Sequence, residues 1–305
     1  MTKQSSKTRI VVLGSLNMDV VLRLDSMPAR GETVHAQSVS YIPGGKGGNQ
    51  AVACARHGAD VALLGCVGRD AHGEVLRNAL AADGVDVSHV TVRDGVPTGT
   101  AVVMVEADGS NRIAVIAGAN AQADLPPNFA AMVSQSDFLV VQFETPLELL
   151  ERAMAVAHQA GCKVVLNPSP VKAVPSQWWP MVDTLVVNEH EAAELSGMAV
   201  MDNATALRAA QHFLAQGVQR VVVTMGSQGA LALDASGHSV HPAPAVNVVD
   251  TTSAGDTFLG TMVTRLGEGC TLAHAVEWSI KAAALCIGRA GAQPSIPQRS
   301  EVDPQ

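Results

Sequence analysis

A chain of 305 residues with 47% hydrophobic and 16% charged side chains can bury a sizeable core, enough for one large domain or a domain with an appendage. Its formal net charge of −8, with no basic run, argues against nucleic acid or anionic membrane as a partner. No apolar run reaches spanning length and residues 1–9 are too polar for a secretion signal, so a cytoplasmic location is expected. The five cysteines (Cys54, Cys66, Cys162, Cys270, Cys286) are scattered without a C-x-x-C pair and read as reduced core residues. The histidines show no metal-ligand spacing.

In chain order, residues 10–13 are an apolar run that ends in Gly14-Ser15-Leu16-Asn17-Met18-Asp19, a strand running into a polar turn. G-x-G-x-x-G is absent, so this is not a dinucleotide fingerprint. Asn17 and Asp19 share a face if the backbone stays extended. An amide beside a carboxylate suits a polyhydroxylated ligand, although a plain turn uses the same pair. Residues 20–24 and 33–42 read as strands, and 98–116 as a hairpin turning at Asp108-Gly109. These strands, drawn from about 18–43 and 98–116, interrupt an α/β pattern; they group as a small separate sheet, a lid that would keep water from the site.

Pro43-Gly44-Gly45-Lys46-Gly47-Gly48-Asn49-Gln50 is glycine-rich but is not a Walker A loop, because no Ser or Thr follows the lysine. Its glycines permit close backbone approach, Lys46 and Asn49 could grip hydroxyls, and a helix is expected over 50–57. The plain alternative is a flexible loop. From residue 61 strands (61–67, 138–142, 163–166, 184–187, 220–224) alternate with helices (73–83, 147–160, 189–196, 205–216, 272–288). That order implies a doubly wound, mostly parallel sheet between two helix layers, a three-layer α/β fold. Ligands bind beyond the carboxyl ends of such strands, where Asn17, Asp19, Glu144, Asn167, Asn188, Glu191, Thr224 and Asp256 all fall. Each alone is an ordinary turn residue; their joint placement indicates a site. Thr224-Met225-Gly226-Ser227-Gln228-Gly229 suits a nucleotide phosphate, or a simple hairpin into 230–233.

Residues 245–266 read as strand, tight turn, helix start, with Phe258, Leu259, Met262, Val263 and Leu266 on one helix face. Free N–H groups at a helix start bind anions, above all phosphate. The small residues Ser253, Ala254 and Gly255 allow close approach, and Asp256 beside them can take a proton from an attacking hydroxyl or merely cap the helix. The irregular loop from Arg289 to Ser295, with Asp250, could hold a monovalent cation. Residues 300–305 read as a frayed tail.

On these residues the chain resembles the PfkB family of sugar kinases, nearly end to end. Gly44 to Asn49 and Asp250 to Asp256 match the two family signatures, and Asn188-Glu189-His190-Glu191 matches its N-x-x-E motif. The resemblance implies one ribokinase-like domain over 1–305 that phosphorylates D-ribose at its 5-hydroxyl with ATP. It implies ribose contacts at Asn17, Asp19, Gly45, Lys46, Asn49 and Glu144, with Asp256 as base and Ala254 and Gly255 as anion hole. An ATP site is implied at Asn188, Thr224, Met225, Gly226, Ser227, Gln228, Gly229 and Gly255, with Glu191 ordering Mg²⁺ through water. A K⁺ loop is implied at Asp250, Thr252, Cys286, Arg289, Gly291 and Ser295, and a homodimer through the lid sheet. Two positions depart: Ser253 stands where many members have glycine, and Ile280 where the adenine side often has Asn or His. A sister kinase for deoxyribose, a nucleoside or another sugar is the alternative. A non-catalytic sugar-binding protein is a third reading, against which the intact Asp256 turn argues.

Overall fold

The computed structural model describes residues 7–106 and 110–303. In chain order these form β1 (Arg9–Leu13), β2 (Asn17–Arg23), β3 (Ser38–Gly44), α1 (Lys46–Arg56), β4 (Asp60–Gly68), α2 (Ala71–Ala82), β5 (Val90–Arg93), β6 (Gly99–Val105) and β7 (Asn111–Ile116). Then come α3 (Phe129–Ser134), β8 (Phe138–Gln142), α4 (Leu147–Gln159), β9 (Lys163–Asn167), β10 (Val182–Asn188), α5 (Glu189–Ser196), α6 (Asn203–Ala215) and β11 (Arg220–Thr224). The chain closes with β12 (Ala230–Asp234), β13 (Gly237–His241), α7 (Ala254–Gly267), α8 (Leu272–Ile287) and α9 (Arg299–Val302).

The layers follow from strand alternation. Successive strand residues point to opposite faces, and all four of Ile10, Val11, Val12 and Leu13 are buried, so β1 needs cover on both sides. Val11 and Leu13 pack with Leu149, Met154 and Phe213 of α4 and α6. Ile10 and Val12 pack with Val52, Phe258, Met262 and Val276 of α1, α7 and α8. The sheet between these layers has nine strands in the order β13-β12-β11-β10-β9-β8-β1-β4-β5. It is parallel from β11 to β5, with β12 and β13 antiparallel. Strand order reverses at β1, and a crevice opens at such a switch point. A second sheet, β3-β2-β6-β7, stands apart. It leaves Val39, Tyr41, Ile113 and Val115 more than half or about half exposed.

Several expected boundaries move. The strand expected over 245–249 does not form: Val246, Val248 and Val249 are exposed, and among the described residues no strand pairs with them. The strand expected over 33–42 begins only at Ser38, because its partner β2 ends at Arg23, which pairs with Ser38. The helix expected over 50–57 starts at Lys46, so the glycine-rich turn is itself helix. The tail is not wholly frayed: α9 spans Arg299–Val302 and buries Val302. The turn expected at Ala107, Asp108 and Gly109 lies outside the described residues; next to it, the Ser110 carbonyl accepts from Glu106 N–H at 2.8 Å.

Candidate active site

The site begins where the loop from Asp250 turns into α7. Ser253 has φ +62°, the one left-handed non-glycine backbone among the described residues, a conformation costing on the order of 1–3 kcal/mol. The departure at Ser253 therefore carries strain that glycine would not. The first turn of α7 has no intrahelical acceptors for its N–H groups. Ala254 N–H reaches Thr251 O at a long 3.3 Å, and no backbone carbonyl outside the helix accepts from Gly255 or Asp256 among the described residues. A Cβ added to Gly255 would meet no protein atom, so the space over this turn is open. Asp256 is buried. Its Oδ2 accepts from Asn49 Nδ2 at 3.0 Å and its Oδ1 from Gln50 Nε2 at 2.9 Å.

Behind Asp256 lies a relay of amides. Gln50 Oε1 accepts from Gln142 Nε2 at 2.6 Å, and Gln50 Nε2 also donates to Asn167 Oδ1 at 3.3 Å. Gln142 and Asn167 end neighbouring strands in register. Lys46 faces this acidic ground: burial works against its charge, but Asp256, Glu144 and Glu191 together outweigh it and raise its pKa above the usual lysine value.

On the other side, Asn17 and Glu144 line an open cavity that also touches Val115, Asn120, Phe143 and Lys172. Ser15 Oγ donates to Glu144, and Lys46 N–H donates to Glu144 Oε2 at 3.2 Å. Asn17 and Asp19 sit on extended β2, so they do share a face. Burial, then the charges of Glu144 and Asp256, push the Asp19 carboxyl from 3.8 up to about 7. The folded protein thus holds a proton that the unfolded chain releases near 3.8. Stability from this group is full below that value and falls as pH rises toward 7. Asp19→Asn should flatten that part of the ligand-free stability profile. Urea midpoints at about pH 5 and about pH 8 test this; an equal fall in parent and variant would contradict it.

A cleft runs from Asp256, Gly255, Ala254 and Ser253 past Lys46 to Asn188, Glu191 and Thr224. Asn188 and Glu191 form a reciprocal capping box on α5: Asn188 N–H donates to Glu191 Oε2 at 2.9 Å, and Glu191 N–H to Asn188 Oδ1 at 2.8 Å. Beyond Thr224, Gly226, Ser227 and Gln228 are exposed and form a 3-10 turn into the antiparallel hairpin partner β12. Met225 is buried in the core, and Gly229 adopts φ +94° at the same turn. None of these five lines the cleft. Ile280 belongs to the core layer of α8 and offers no polar group.

Residues expected around a cation lie together at Asp250. Asp250 Oδ1 accepts from Thr252 N–H at 2.9 Å and Oγ1 at 2.6 Å, and Oδ2 from Gly291 N–H at 3.0 Å. Burial opposes its charge, but these bonds and Arg23 hold its carboxyl below the usual range. Cys286 Sγ lies 3.0 Å from Ser295 Oγ and donates to Thr252 O at 3.7 Å. The Arg289 guanidinium turns away to Glu301 at 2.6 Å, which leaves only its backbone for the loop.

The structure thus gathers Lys46, Asn49 and Asp256 at one point, with Asn17, Asp19 and Glu144 to one side and Asn188, Glu191 and Thr224 to the other. Sequence reasoning missed Ser15, Gln50, Asn120 and Gln142. Gln50 and Gln142 carried a usable signal: each is an amide at a position otherwise flanked by core residues, and each is fully buried. Asn120 carried none, since its partner lies 104 residues away.

Residues 7–299 match the profile of the pfkB family carbohydrate kinases. The chain is 37% identical over 294 residues to a ribokinase of Haemophilus influenzae and 40% identical over 308 residues to one of Schizosaccharomyces pombe, each match covering 96% of both chains. A solved Arabidopsis thaliana ribokinase, complexed with ribose and ATP, superposes with a TM-score of 0.91 at 31% identity, covering 97% of this chain and 98% of that one. A putative ribokinase II from E. coli, in complex with ATP and Mg²⁺, gives 0.82 at 20% identity over 97% and 98%, a likeness of fold.

Proposed function

The chain belongs to the pfkB family of carbohydrate kinases, and from that premise we propose that it transfers the γ-phosphoryl of ATP to the 5-hydroxyl of D-ribose. Its nine-stranded sheet with a separate four-stranded lid is the ribokinase-like α/β fold. The observation that carries the proposal is Asp256, buried in the first turn of α7 and gripped by two amides beside open backbone donors. In this reading Asp256 takes the 5-hydroxyl proton as that oxygen bonds to phosphorus and ADP departs. The N–H groups of Ala254 and Gly255 stabilise the charge that grows there.

Ribose would lie between the two hollows, against Asn17 and Glu144 of the first and Lys46 of the second, with Asp19, Asn49 and the backbone at Gly45 as its further contacts. Asn49 Oδ1 is buried with no partner, and a sugar hydroxyl would supply one. ATP fits the cleft past Asn188 and Thr224, and the Arabidopsis thaliana ribokinase solved with ribose and ATP supports it. The 225–229 turn would serve at the cleft's outer end. Glu191 Oε1 makes no hydrogen bond among the described residues, so this side of the carboxylate could hold Mg²⁺ through water. Mg²⁺ there would neutralise phosphate charge. The Asp250 loop, with Thr252, Cys286, Arg289, Gly291 and Ser295, suits K⁺ through its oxygens. We read the chain as one domain, cytoplasmic, and dimeric through the half-exposed apolar face of the lid.

One experiment tests these readings together. ADP release is followed with ribose, 2-deoxyribose, a ketohexose and a nucleoside, with and without K⁺, on material sized by light scattering. The highest kcat/KM should fall on ribose, activity should drop without K⁺, and the mass should be that of a dimer. A higher kcat/KM on 2-deoxyribose moves the chain to a sister activity, and ribose binding without ADP release makes it a binding protein. Equal activity without K⁺ removes the cation site, and a monomer mass removes the dimer.

A further inference from the structure

We propose that Asn120 is a positioning residue that fixes Asn17 as a hydrogen-bond donor toward the sugar and so sets the preference for a hydroxyl at that point. The proposal rests on the sugar-site reading above. Its starting point is the backbone of Leu16. An N–H can only donate and a C=O can only accept. Leu16 N–H donates to Asn120 Oδ1 at 2.9 Å, and Asn120 Nδ2 donates to Leu16 O at 3.1 Å. These two bonds leave the Asn120 amide one orientation. Its second Nδ2 hydrogen goes to Asn17 at 2.8 Å, and the atom receiving it must be Asn17 Oδ1. With its oxygen taken, Asn17 has only its NH₂ to offer the cavity, and none of the hydrogen bonds among the described residues uses that nitrogen.

Two further features show that the arrangement is built. Asn120 is 1% exposed and Asn17 4%, so neither amide can turn to water instead. Gly99 pairs with Asn17 in the lid sheet; a Cβ there would collide with Asn120 Nδ2 and Asn17 Oδ1. Glu144, which lines the same cavity, is a carboxyl, and the Lys172 ammonium there already donates to Phe143 O. A hydroxyl whose proton goes to a carboxylate still has lone pairs to satisfy, and the Asn17 NH₂ is placed to satisfy them. Asn120 sits in a 3-10 turn, Gly118–Gln122, that directly follows β7. The lid strand and the donor are therefore set by one short segment.

The test is Asn120→Asp, nearly the same shape but unable to donate. Residue 17 then has a reason to turn its NH₂ toward Asp at 120 and its oxygen toward the sugar. We expect the ratio of kcat/KM on ribose to that on 2-deoxyribose to fall about tenfold or more. The loss should sit in the ribose KM, with the ATP KM unchanged. In an Asn17→Ala background the same change should add nothing. An added negative charge or a loosened fold would lower both sugars alike; that result, or multiplying effects with Asn17→Ala, overturns the proposal. Asn17→Asp is the second variant, for it keeps the Asn120 bond and removes the donor, while the charge it adds would lower both sugars alike. An unchanged sugar ratio in Asn17→Asp would overturn the proposal even if Asn120→Asp failed to fold. The parent's own sugar preference separates failure of the function reading from failure of this one. If the parent prefers another sugar, the same ratio is read with that sugar and its deoxy analogue.

Discussion

Asp256→Asn is expected to lower kcat by ~10²–10⁴, the range for losing a general base, while leaving the fold and the sugar KM nearly intact. The first question is whether the variant can pack. The new NH₂ must face either Asn49 Nδ2 or Gln50 Nε2, and both are donors. Gln50 cannot turn, because its own oxygen is held by Gln142. Asn49 can turn, because its Oδ1 is buried without a partner. A rotated Asn49 accepts from Asn at 256, and the hydrogen-bond count is kept. The cost in stability should therefore stay within about 1 kcal/mol, the net value of one such bond. What is lost is the group that takes the proton. Turnover measured by ADP release, with a thermal melt on the same sample, checks both halves. A kcat within tenfold of the parent would remove Asp256 from the chemistry; a collapsed melt would mean the rearrangement of Asn49 does not occur.

Contacts set by local pattern were readable in the sequence, and contacts between distant layers were not. The strands Phe138–Gln142 and Arg220–Thr224 and the helix Glu189–Ser196 fall where apolar runs and the N-x-x-E cap put them, because local pattern alone decides them. The polar strand ends also pointed to the right edge of the sheet, since a parallel sheet leaves no other place for a cleft. The exposed Val246 to Val249 stretch misled because an apolar run becomes a strand only when another strand lies beside it. The left-handed Ser253 was unreadable because serine gives no warning of positive φ. The amides around Asp256 could be picked out singly, but which of them pair could not. Gln50 meets Asp256 across 206 residues and Gln142 across 92, so their pairing is a property of the folded layers.

The start of α1 shows tertiary contact overruling propensity, and it yields the second large expectation. Gly47 and Gly48 lie in the first turn of a helix although glycine costs about 1 kcal/mol there relative to alanine. By that measure Gly47→Ala should stabilise the protein. Packing says otherwise. A Cβ on Gly47 would lie 2.5 Å from Gly14 C and 2.6 Å from Ser15 N. These are backbone atoms at the end of β1, and no side-chain rotation relieves the overlap. Overpacking of this kind costs about 1–3 kcal/mol, which exceeds the propensity gain, so α1 must back away from the sheet. Its first turn carries Lys46, Asn49 and Gln50, the groups facing or holding Asp256. A shift of about 1 Å in such groups costs on the order of 10²-fold in rate. Gly47→Ala should therefore show a lower urea midpoint, unchanged far-ultraviolet circular dichroism and a kcat down by about 10²-fold. A variant as active and as stable as the parent would mean that α1 is free to slide on β1. The rigidity assigned to the Asp256 grip would then have to come from β8 and β9 alone.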